Sequence, residues 1–264
     1  MHTLIILPTF NNERQLKLLI PKLEKYKKRV VFIDDGSSDD TDRVLEESNC
    51  LYIKNDNNMG ISYSVAKGVD YALEAGYEAV ILMDADGQHN PRYIDDFDFK
   101  LINNGLVMGN RFYQTEGIPT CKYAANSLGS AMVNKVFGTC FKDISCGFKG
   151  FRLTDKLVDA IKNGSGYSLV YDLLFQAILE EEKIESVNMP AIYYPGEFWY
   201  TRRSEILALI EALERYSECF ELYQYGFNEF KESINNNRDF YMKVDNIEYW
   251  GFYISSYQGY MVQK

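Results

Sequence analysis

The sequence has no long apolar run, and its acidic residues outnumber its basic ones. A membrane-spanning helix needs about 20 predominantly apolar residues. The best candidate window, SEILALIEALERYSECFELY at 204–223, is interrupted repeatedly by glutamate and arginine. The 28 Lys and Arg against 38 Asp and Glu give a formal net charge of −10. This balance argues against a nucleic-acid partner and against broad electrostatic adhesion to anionic membranes, although a local basic patch could still serve the second purpose.

The sequence also lacks paired cysteines and a recognisable secretory leader. Its start, MHTL, runs straight into a strand-like stretch without a basic region or a cleavage site. Disulfides are rare in reducing compartments, so we predict reduced, mostly buried thiols in a cytoplasmic protein. The five cysteines, an odd number without paired spacing, are Cys50, Cys121, Cys140, Cys146 and Cys219.

Short aliphatic or β-branched runs alternate with stretches of helical spacing in the first half of the chain. The runs lie at 4–7, 29–34, 51–54, 79–84 and 106–111. Strands that alternate with helices predict an α/β, Rossmann-like fold with a mainly parallel sheet flanked by helices. Ligands of such folds bind beyond the carboxyl ends of the strands, and polar loops follow the first four runs. We therefore predict one site at this edge of the sheet.

The fourth run ends in the acidic stretch DADGQH at 84–89. Side chains two apart in an extended strand face the same way, so we expect Asp84, Asp86 and Gln88 to point together. Their oxygens suit Mg²⁺ or Mn²⁺, whose ligand shell phosphate oxygens can complete. An EF-hand loop is excluded because His89 stands where its glycine is required. A phosphatase of the haloacid-dehalogenase type and an aspartate turn without a ligand stay open at this point.

The regular pattern loosens after residue 112, and the chain is predicted to end in an appendage. An amphipathic helix begins at Ser204, and the tyrosine-rich stretch 249–264 has no assignable element. Trp199 and Tyr200 stand beside two arginines before that helix, which suits a membrane interface and a helix packed on the catalytic domain equally. We predict two domains, 1–203 and a helical, aromatic-rich tail at 204–264.

Six motifs in order resemble the family 2 glycosyltransferases of GT-A fold. They are ILPTFNNE, VVFIDDGSSDDT, NNMGISYSVAKGV, VILMDADGQH, MGNRF and DISCGFKGFR. Within the family they look like the dolichol-phosphate mannosyltransferase and polyprenyl-phosphate glycosyltransferase branch, over residues 3–205. The resemblance implies a GT-A fold, a nucleotide-sugar donor, inversion at the anomeric carbon, and Mg²⁺ or Mn²⁺ as the cofactor.

The resemblance also implies roles for individual residues. The nucleotide-binding residues are Pro8, Phe10, Asn12, Glu13, Asp34, Asp35, Asn58, Gly60, Asp84 and Ala85. The metal ligands are Asp84, Asp86 and Gln88. The residues that bind the acceptor and its phosphate are Arg111, Lys122, Arg202, Arg203 and Ser204. Asp86, Arg111 and Asp143 form the catalytic group.

Three positions depart from the family pattern. Phe10 replaces the more usual tyrosine, which keeps a stacking face and loses a hydroxyl. Asn12 takes the place of the family's acid, and Glu13 follows one residue later, so either of the two could contact the nucleotide. Relatives often carry a second basic residue early in the helix after Arg111, followed by a serine-arginine pair. Here the helix offers Lys122 and no second arginine, and lysine lacks the planar fork of arginine.

Together these observations predict an inverting glycosyltransferase that moves a sugar from a GDP- or UDP-sugar to a polyprenyl phosphate. A lipid phosphate is already anionic and needs no base, so Asp143 would orient the site. Transfer to a glycan or another hydroxyl needs a general base, with Asp143 as the candidate. A non-catalytic nucleotide-sugar binding subunit is a further alternative. For a lipid acceptor we expect peripheral contact at the cytoplasmic membrane face, or a membrane partner.

Overall fold

The computed structural model describes residues 1–193, 203–216, 231–232, 236, 240–244, 247–254 and 257–263. These residues form a seven-stranded sheet with helices and a separate three-stranded sheet. The chain divides into two compact units. The first unit comprises residues 1–109 and 146–192, and the second comprises 110–145 and 193–264.

The first unit is built on the seven-stranded sheet. Its strands are β1 (Thr3–Thr9), β2 (Val30–Asp34), β3 (Leu51–Lys54), β4 (Ala79–Leu82), β5 (Leu106–Asn110), β6 (Lys149–Arg152) and β7 (Ile184–Asn188). They lie in the order β3-β2-β1-β4-β6-β5-β7. β1 pairs in parallel with β2 and β4, and β2 with β3. The predicted parallel arrangement is confirmed there, whereas β6, which the sequence pattern did not reveal as a strand, runs antiparallel between β4 and β5.

Six helices follow the strands of this sheet. They are α1 (Glu13–Leu19), α2 (Thr41–Ser48), α3 (Ile61–Glu74), α4 (Ile94–Leu101), α6 (Asp155–Asn163) and α7 (Leu169–Leu179). Three 3₁₀ segments adjoin them at Ile20–Arg29, Pro91–Tyr93 and Gly166–Ser168. The 3₁₀ turn Pro91–Tyr93 is capped by Asn90, whose side chain accepts a hydrogen bond from the backbone N–H of Arg92 at 3.1 Å. This turn leads directly into α4.

The core of the first unit consists of the central strands and the helices packed on them. β1, β2 and β4 are almost entirely buried, as expected for strands of a parallel sheet that helices cover on both faces. On one face, Phe97 of α4 stacks on Phe148 with the ring centroids 4.4 Å apart. Phe148 also stacks on His89, at 5.1 Å. The end of the acidic stretch is thereby attached to the core.

In the part of the second unit that the structure describes, two long helices accompany an antiparallel sheet. Its elements are α5 (Thr120–Phe137), α8 (Arg203–Arg215), β8 (Phe240–Val244), β9 (Ile247–Ile254) and β10 (Tyr257–Gln263). α5 ends at Gly138, which adopts the left-handed conformation (φ +67°). The tyrosine-rich stretch, for which the sequence predicted no element, supplies β9 and β10, and the backbones of β8 and β10 lie along α5.

α8 contacts α5 through Leu209, one residue of the buried apolar face that the sequence predicted. Its residues Ile206, Leu209, Ile210 and Leu213 are buried. Leu209 comes so close to Gly129 that a Cβ atom at Gly129 would lie 3.0 Å from its Cδ2 atom. Among the described helices, none is long and apolar enough to cross a membrane. The predicted domain boundary between residues 203 and 204 stays a prediction. It falls at the start of α8.

Candidate active site

The loop after β1 is fastened to the loop after β2 by one asparagine. Asn11 has a positive φ of 53°. Its side-chain oxygen accepts hydrogen bonds from the backbone N–H groups of Ser38 (2.9 Å) and Asp39 (3.4 Å), while its own backbone N–H donates to Ser37 Oγ at 2.9 Å. Asparagine tolerates the left-handed region better than most residues do. This residue therefore orders both loops.

A second link joins the start of α1 to the same loop. The backbone N–H of Glu13 donates to Asp39 Oδ2 at 3.3 Å, and that of Asn12 donates to Thr41 Oγ1 at 2.9 Å. Burial raises the pKa of Asp39, but hydrogen bonds from the Thr41 hydroxyl and from backbone N–H groups outweigh it, so the pKa lies below its ordinary value. Asp39 is therefore an ionised anchor for the loop.

The four nucleotide-binding candidates of the first loop have different surroundings. Pro8 is half-buried near the end of β1, and the Phe10 ring is exposed. The Asn12 side chain accepts from the backbone N–H of Phe10 at 3.1 Å. The Glu13 carboxylate forms an ion pair with Lys17 at 2.6 Å. The backbone of Phe10 is thus held by a hydrogen bond within its own loop, while its ring is exposed.

Asp34 is a buried acid with one oxygen that no described residue satisfies. Its side chain is fully buried at the end of β2. Oδ1 accepts from the backbone N–H (3.0 Å) and the hydroxyl (2.5 Å) of Ser37. Oδ2 is buried and has no hydrogen-bond partner within the described part of the chain. A buried polar atom without a partner is costly, so this oxygen suits a ligand that donates a hydrogen bond.

Asp35, the next residue, holds the loop after β3. Its Oδ1 atom accepts from Asn55 Nδ2 (2.8 Å) and from the backbone N–H of Met59 (3.0 Å), and Oδ2 accepts from the backbone N–H of Gly60 (2.8 Å). Gly60 begins α3 at φ +91°, while Asn58 is exposed. We predicted Asp35, Asn58 and Gly60 as nucleotide-binding residues, and the structure brings them together in two adjoining loops.

Glycine at position 36 allows these two loops to touch. Gly36 has φ +70°, and a Cβ atom there would lie 2.5 Å from the carbonyl carbon of Asn57. Both the left-handed backbone and the lack of space therefore require glycine. The contacts of Asn11, Asp35 and Gly36 thus join the loops after β1, β2 and β3 at the carboxyl edge of the sheet.

The acidic stretch follows β4 at the same edge, but its geometry differs from our expectation. β4 ends at Leu82, before the first aspartate, and the backbone turns over Ala85–Gly87, with Gly87 at φ +85°. The alternation from which we predicted that Asp84, Asp86 and Gln88 share one face therefore does not apply. The reason is local, because Asp86 Oδ1 accepts from the backbone N–H of Gln88 at 2.8 Å and closes a turn.

His89 is packed beneath this turn. Its side chain is 4% exposed, and its Nδ1 atom accepts from the backbone N–H of Asp84 at 3.1 Å. The same ring atom lies 3.6 Å from Asp84 Oδ2, and Nε2 lies 3.9 Å from Cys146 Sγ. Ala85 is buried, whereas the Asp84 side chain is 40% exposed. The turn thus presents carboxylates to solvent above a buried histidine.

The donor set of this turn fits a hard divalent ion that shares its ligand shell with a substrate. Mg²⁺ is commonly held by one or two carboxylates together with phosphate oxygens and water. Asp84 and Asp86 would supply two carboxylates to such an ion, and Gln88 would add an amide oxygen. Within the described residues no three His, Cys, Asp or Glu side chains come together as a complete metal site. A metal at this turn would therefore need the oxygens of a bound diphosphate.

The acceptor-side candidates belong to the second unit, where Arg111 and Asp143 form a bidentate ion pair. Arg111 Nε donates to Asp143 Oδ2 at 2.7 Å, and Nη2 donates to Oδ1 at 2.9 Å. The backbone N–H of Arg111 also donates to Oδ2, and Nη2 donates to Ser145 Oγ at 2.9 Å. The Asp143 side chain is fully buried. These contacts occupy the carboxylate from several sides.

The remaining acceptor candidates are placed only in part. Lys122 Nζ lies 3.9 Å from Glu205 Oε2, a loose ion pair between α5 and α8. Arg203 and Ser204 begin α8 as backbone, and their side chains lie outside the described residues. Arg202, Trp199 and Tyr200 also lie outside the described residues.

Sequence reasoning did not single out three residues near the predicted site. Asn11 joins two loops, Gly147 lies against Asp84, and Lys149 is fully buried on β6. Gly147 and Lys149 lie in the motif that we used only for Asp143. The unusual combination of a glycine and a lysine beside apolar residues in CGFKG was the available signal.

Comparison with known proteins identifies the family. Residues 4–156 match the family described as glycosyl transferase family 2. The chain belongs to this family. The glycosyltransferase is 28% identical over 227 residues to an uncharacterised protein of Methanocaldococcus jannaschii, covering 80% of this chain and 97% of that protein. It is 26% identical over 218 residues to the undecaprenyl-phosphate mannosyltransferase of Micrococcus luteus, covering 77% of this chain and 88% of that protein.

Solved structures confirm the fold of this family 2 glycosyltransferase. The crystal structure of glucosyl-3-phosphoglycerate synthase from Mycobacterium tuberculosis, in complex with Mn²⁺, uridine diphosphate and phosphoglyceric acid, superimposes with a TM-score of 0.60. The two chains are 16% identical, and the match covers 80% of this chain and 78% of that one. Likeness at this identity concerns the fold alone. It confirms the predicted GT-A α/β architecture.

Proposed function

We propose that this glycosyltransferase moves a sugar from a nucleotide-sugar donor to a polyprenyl phosphate, with inversion at the anomeric carbon. The observation that carries the proposal is the buried Oδ2 atom of Asp34, which has no partner in the described chain. Uracil and guanine each carry a ring N–H that can donate to such an oxygen. The exposed Phe10 ring on the adjoining loop offers a face for a base.

The relatives support both halves of the proposal. The Micrococcus relative bears the name of a mannosyltransferase that acts on undecaprenyl phosphate. The structural neighbour was crystallised with Mn²⁺ and uridine diphosphate. We therefore assign Asp35, Asn58 and Gly60 to the nucleoside side of the site, together with Pro8, Asn12 and Glu13.

Asp84 and Asp86, with Gln88 in the same turn, would hold Mg²⁺ or Mn²⁺. Bound there, the ion would neutralise the charge that develops on the departing nucleoside diphosphate. The packed ring of His89 supports the backbone of this turn through Asp84. Asp86 fixes the turn through its bond to the backbone of Gln88.

The contacts of Asp143 favour a phosphate acceptor over a hydroxyl. A general base needs a lone pair directed at the proton that it removes. Both carboxylate oxygens of Asp143 already accept from Arg111, and Oδ1 also accepts from Ser145. An anionic phosphate oxygen can attack the anomeric carbon without losing a proton, while the bond from that carbon to the diphosphate breaks. Asp143 then orients Arg111, which with Lys122 we assign to the acceptor phosphate.

A polyprenyl phosphate lies in a membrane. The proposal therefore places the enzyme peripherally at a membrane surface, on the cytoplasmic side as we predicted. Arg202, Arg203 and Ser204 stay predictions for the acceptor loop.

A thermal-shift panel tests the donor half. UDP, GDP, CDP and ADP would each be added with and without Mn²⁺. A ligand present at about 100 times its dissociation constant stabilises a protein by about 2.7 kcal/mol. We expect UDP or GDP to stabilise the protein, more strongly with Mn²⁺, and the Asp86→Ala variant to lose the Mn²⁺-dependent part. Asp96→Ala, an exposed acid on α4, is the matched control. An undiminished shift in Asp86→Ala would remove the metal role of that residue.

A transfer assay tests the acceptor half. Short-chain polyprenyl phosphate and the corresponding polyprenol would be offered with the sugar form of the nucleotide selected above. We expect transfer to the phosphate and none to the alcohol, and Asp143→Asn should retain part of the activity. Transfer to the alcohol that Asp143→Asn abolishes would establish the hydroxyl acceptor instead. Saturable donor binding without turnover on either acceptor would indicate a non-catalytic subunit.

A further inference from the structure

The carboxylate of Asp84 occupies a space that exists because residue 147 is glycine. A Cβ atom at Gly147 would lie 2.6 Å from Oδ2, 3.1 Å from Oδ1 and 3.2 Å from Cγ of Asp84. Non-bonded atoms are most stable at roughly 3.5–4.0 Å, and the first of these distances is far inside that range. Any side chain at position 147 would have to displace the carboxylate or move the backbone.

The register of the sheet explains this approach. Leu82 of β4 pairs with Lys149 of the antiparallel strand β6. β4 ends and β6 begins at this pair, and the same register continued two residues further would place Asp84 opposite Gly147, in agreement with the short distances from the built Cβ atom. Residues that oppose each other in an antiparallel pair direct their side chains to the same face, with Cβ atoms about 4.5–5.5 Å apart. Glycine leaves that position on the face to the aspartate.

The backbone around Gly147 is held from both sides. The fully buried Lys149 donates from Nζ to the carbonyl oxygen of Cys146 at 2.8 Å. The carbonyl of Phe148 accepts from the backbone N–H of Gly109 at 2.8 Å. The Cys146 sulfur is packed so closely on Gly109 that a Cβ atom there would lie 2.6 Å away. These contacts restrict movement of the backbone at 146–148 away from Asp84.

The backbone of Asp84 is fixed as well. Its N–H donates to Nδ1 of the buried His89 at 3.1 Å, and the N–H of Met83 donates to the carbonyl of Ile6 at 3.1 Å. A side chain at position 147 would therefore act mainly on the carboxylate, by rotating it out of its present position.

We infer that Gly147 is a positioning residue for the metal site: its missing side chain sets the orientation of the Asp84 carboxylate. The inference rests on the proposed function, because that orientation matters only if Asp84 binds the ion. Residues that orient a metal ligand typically change metal affinity about 10- to 100-fold when they are replaced. Gly147→Ala should therefore weaken the metal site while the nucleoside side, formed by other loops, is unaffected.

Manganese binding tests this directly. Free Mn²⁺ would be followed by electron paramagnetic resonance during titration of the full-length protein, with UDP and with GDP present. We expect the dissociation constant for Mn²⁺ to rise about 10- to 100-fold in Gly147→Ala. The matched control is Gly150→Ala, three residues further along the chain on β6, where the added Cβ would meet Leu101 at 2.8 Å rather than an aspartate. Its Mn²⁺ affinity should equal that of the wild type.

Thermal melting gives a test that needs no metal. It compares the wild type, Gly147→Ala, Asp84→Ala and the double variant. Gly147→Ala should lower the melting temperature in the wild-type background and lower it much less in Asp84→Ala, where the carboxylate is gone. An equal loss in both backgrounds would overturn the contact.

Unchanged Mn²⁺ affinity in Gly147→Ala, beside a wild type that binds Mn²⁺, would overturn this inference alone. A wild type that binds no Mn²⁺ with either nucleotide would overturn the proposed metal role and this inference together, while the melting series would still report the contact.

Discussion

At the scale of single residues, the two carboxylate oxygens of Asp34 have different roles, one within the fold and one proposed for a ligand. Its Oδ1 atom is satisfied by Ser37, whereas Oδ2 is buried without a partner in the described chain. An unsatisfied buried polar group costs about 1–3 kcal/mol, and more when it is charged. Natural proteins retain such costs chiefly at functional sites. The free energy lost in the unliganded protein is recoverable when a ligand donates to Oδ2.

Replacing Asp34 by asparagine should therefore impair binding without destabilising the fold. The new amide can still accept from Ser37, and it removes a buried charge. We expect the free energy of unfolding in urea to stay the same or rise. Affinity for the better of UDP and GDP should fall roughly 10- to 100-fold in calorimetry, because a hydrogen bond to a charged group contributes about 1.5–3 kcal/mol. Asp40→Asn, an exposed acid of the same loop, should change neither quantity. Unchanged affinity in Asp34→Asn would contradict the assignment.

Single residues also show where sequence reasoning stops. Asp34 and Asp84 could be predicted because an acid directly after an apolar run is costly unless it has a purpose. Gly147 could not, because its role depends on its approach to Asp84, which follows only once β4 and β6 are known to pair as antiparallel strands. The strand β6 was not recognised because a lysine and a glycine interrupt its apolar pattern. Asn11 was likewise hidden, since its positive φ appears only once two distant loops meet.

At the scale of elements, the loops after β2 and β3 depend on the close approach of Gly36 to Asn57. Gly36→Ala would add a Cβ atom 2.5 Å from the Asn57 carbonyl carbon and would also strain a backbone at φ +70°. Gly76 provides a matched control, because it has φ +73° and nothing within 4 Å of a built Cβ. The difference between the two alanine variants isolates the contact from the backbone strain.

We expect Gly36→Ala to be the more destabilising of the two by about 1–3 kcal/mol, the usual cost of overpacking. Urea denaturation measures both free energies of unfolding. Gly36→Ala should also weaken nucleotide binding, since Asp35 holds the same pair of loops, whereas Gly76→Ala should not. Equal losses of stability in the two variants would show that the loops after β2 and β3 separate at no cost, and would contradict a close contact between Gly36 and Asn57.

Elements with a strong period were predictable, and irregular ones were not. The buried runs of β1, β2 and β4 and the helices between them were found from their pattern. The expected strand alternation through Gln88 was wrong because β4 ends at Leu82, before the acidic stretch, and Asp86 then turns the chain through a side-chain hydrogen bond. Short polar side chains compete with extended backbone in this way, and spacing alone does not reveal which wins.

At the scale of the whole molecule, the second unit is assembled from segments far apart in sequence. α5 comes from the segment that interrupts the first unit, and α8 and β8–β10 come from the tail. A reading along the chain therefore divided the protein at residue 203. Contacts between α5 and α8 could not be inferred from either segment alone, because each shows only an apolar face without indicating its partner.

Leu209 tests whether the tail is an integral part of the second unit. It is buried on α8 and touches Gly129 of α5. Truncating a buried leucine to alanine costs about 2–5 kcal/mol, because apolar burial is lost and a cavity remains. We expect Leu209→Ala to lower the free energy of unfolding, measured by urea denaturation, by this amount. Glu211→Ala, exposed on the same helix, should stay within about 0.5 kcal/mol of the wild type.

The alternative from the sequence was a helix whose apolar face meets a membrane. In that case Leu209→Ala would leave the unfolding transition unchanged and would instead reduce sedimentation of the protein with phospholipid vesicles. The two measurements on one variant therefore distinguish a packed helix from an interfacial one. Because Leu209 is buried and lies against Gly129 of α5, we expect the loss to appear in stability, with vesicle binding unaffected by the substitution.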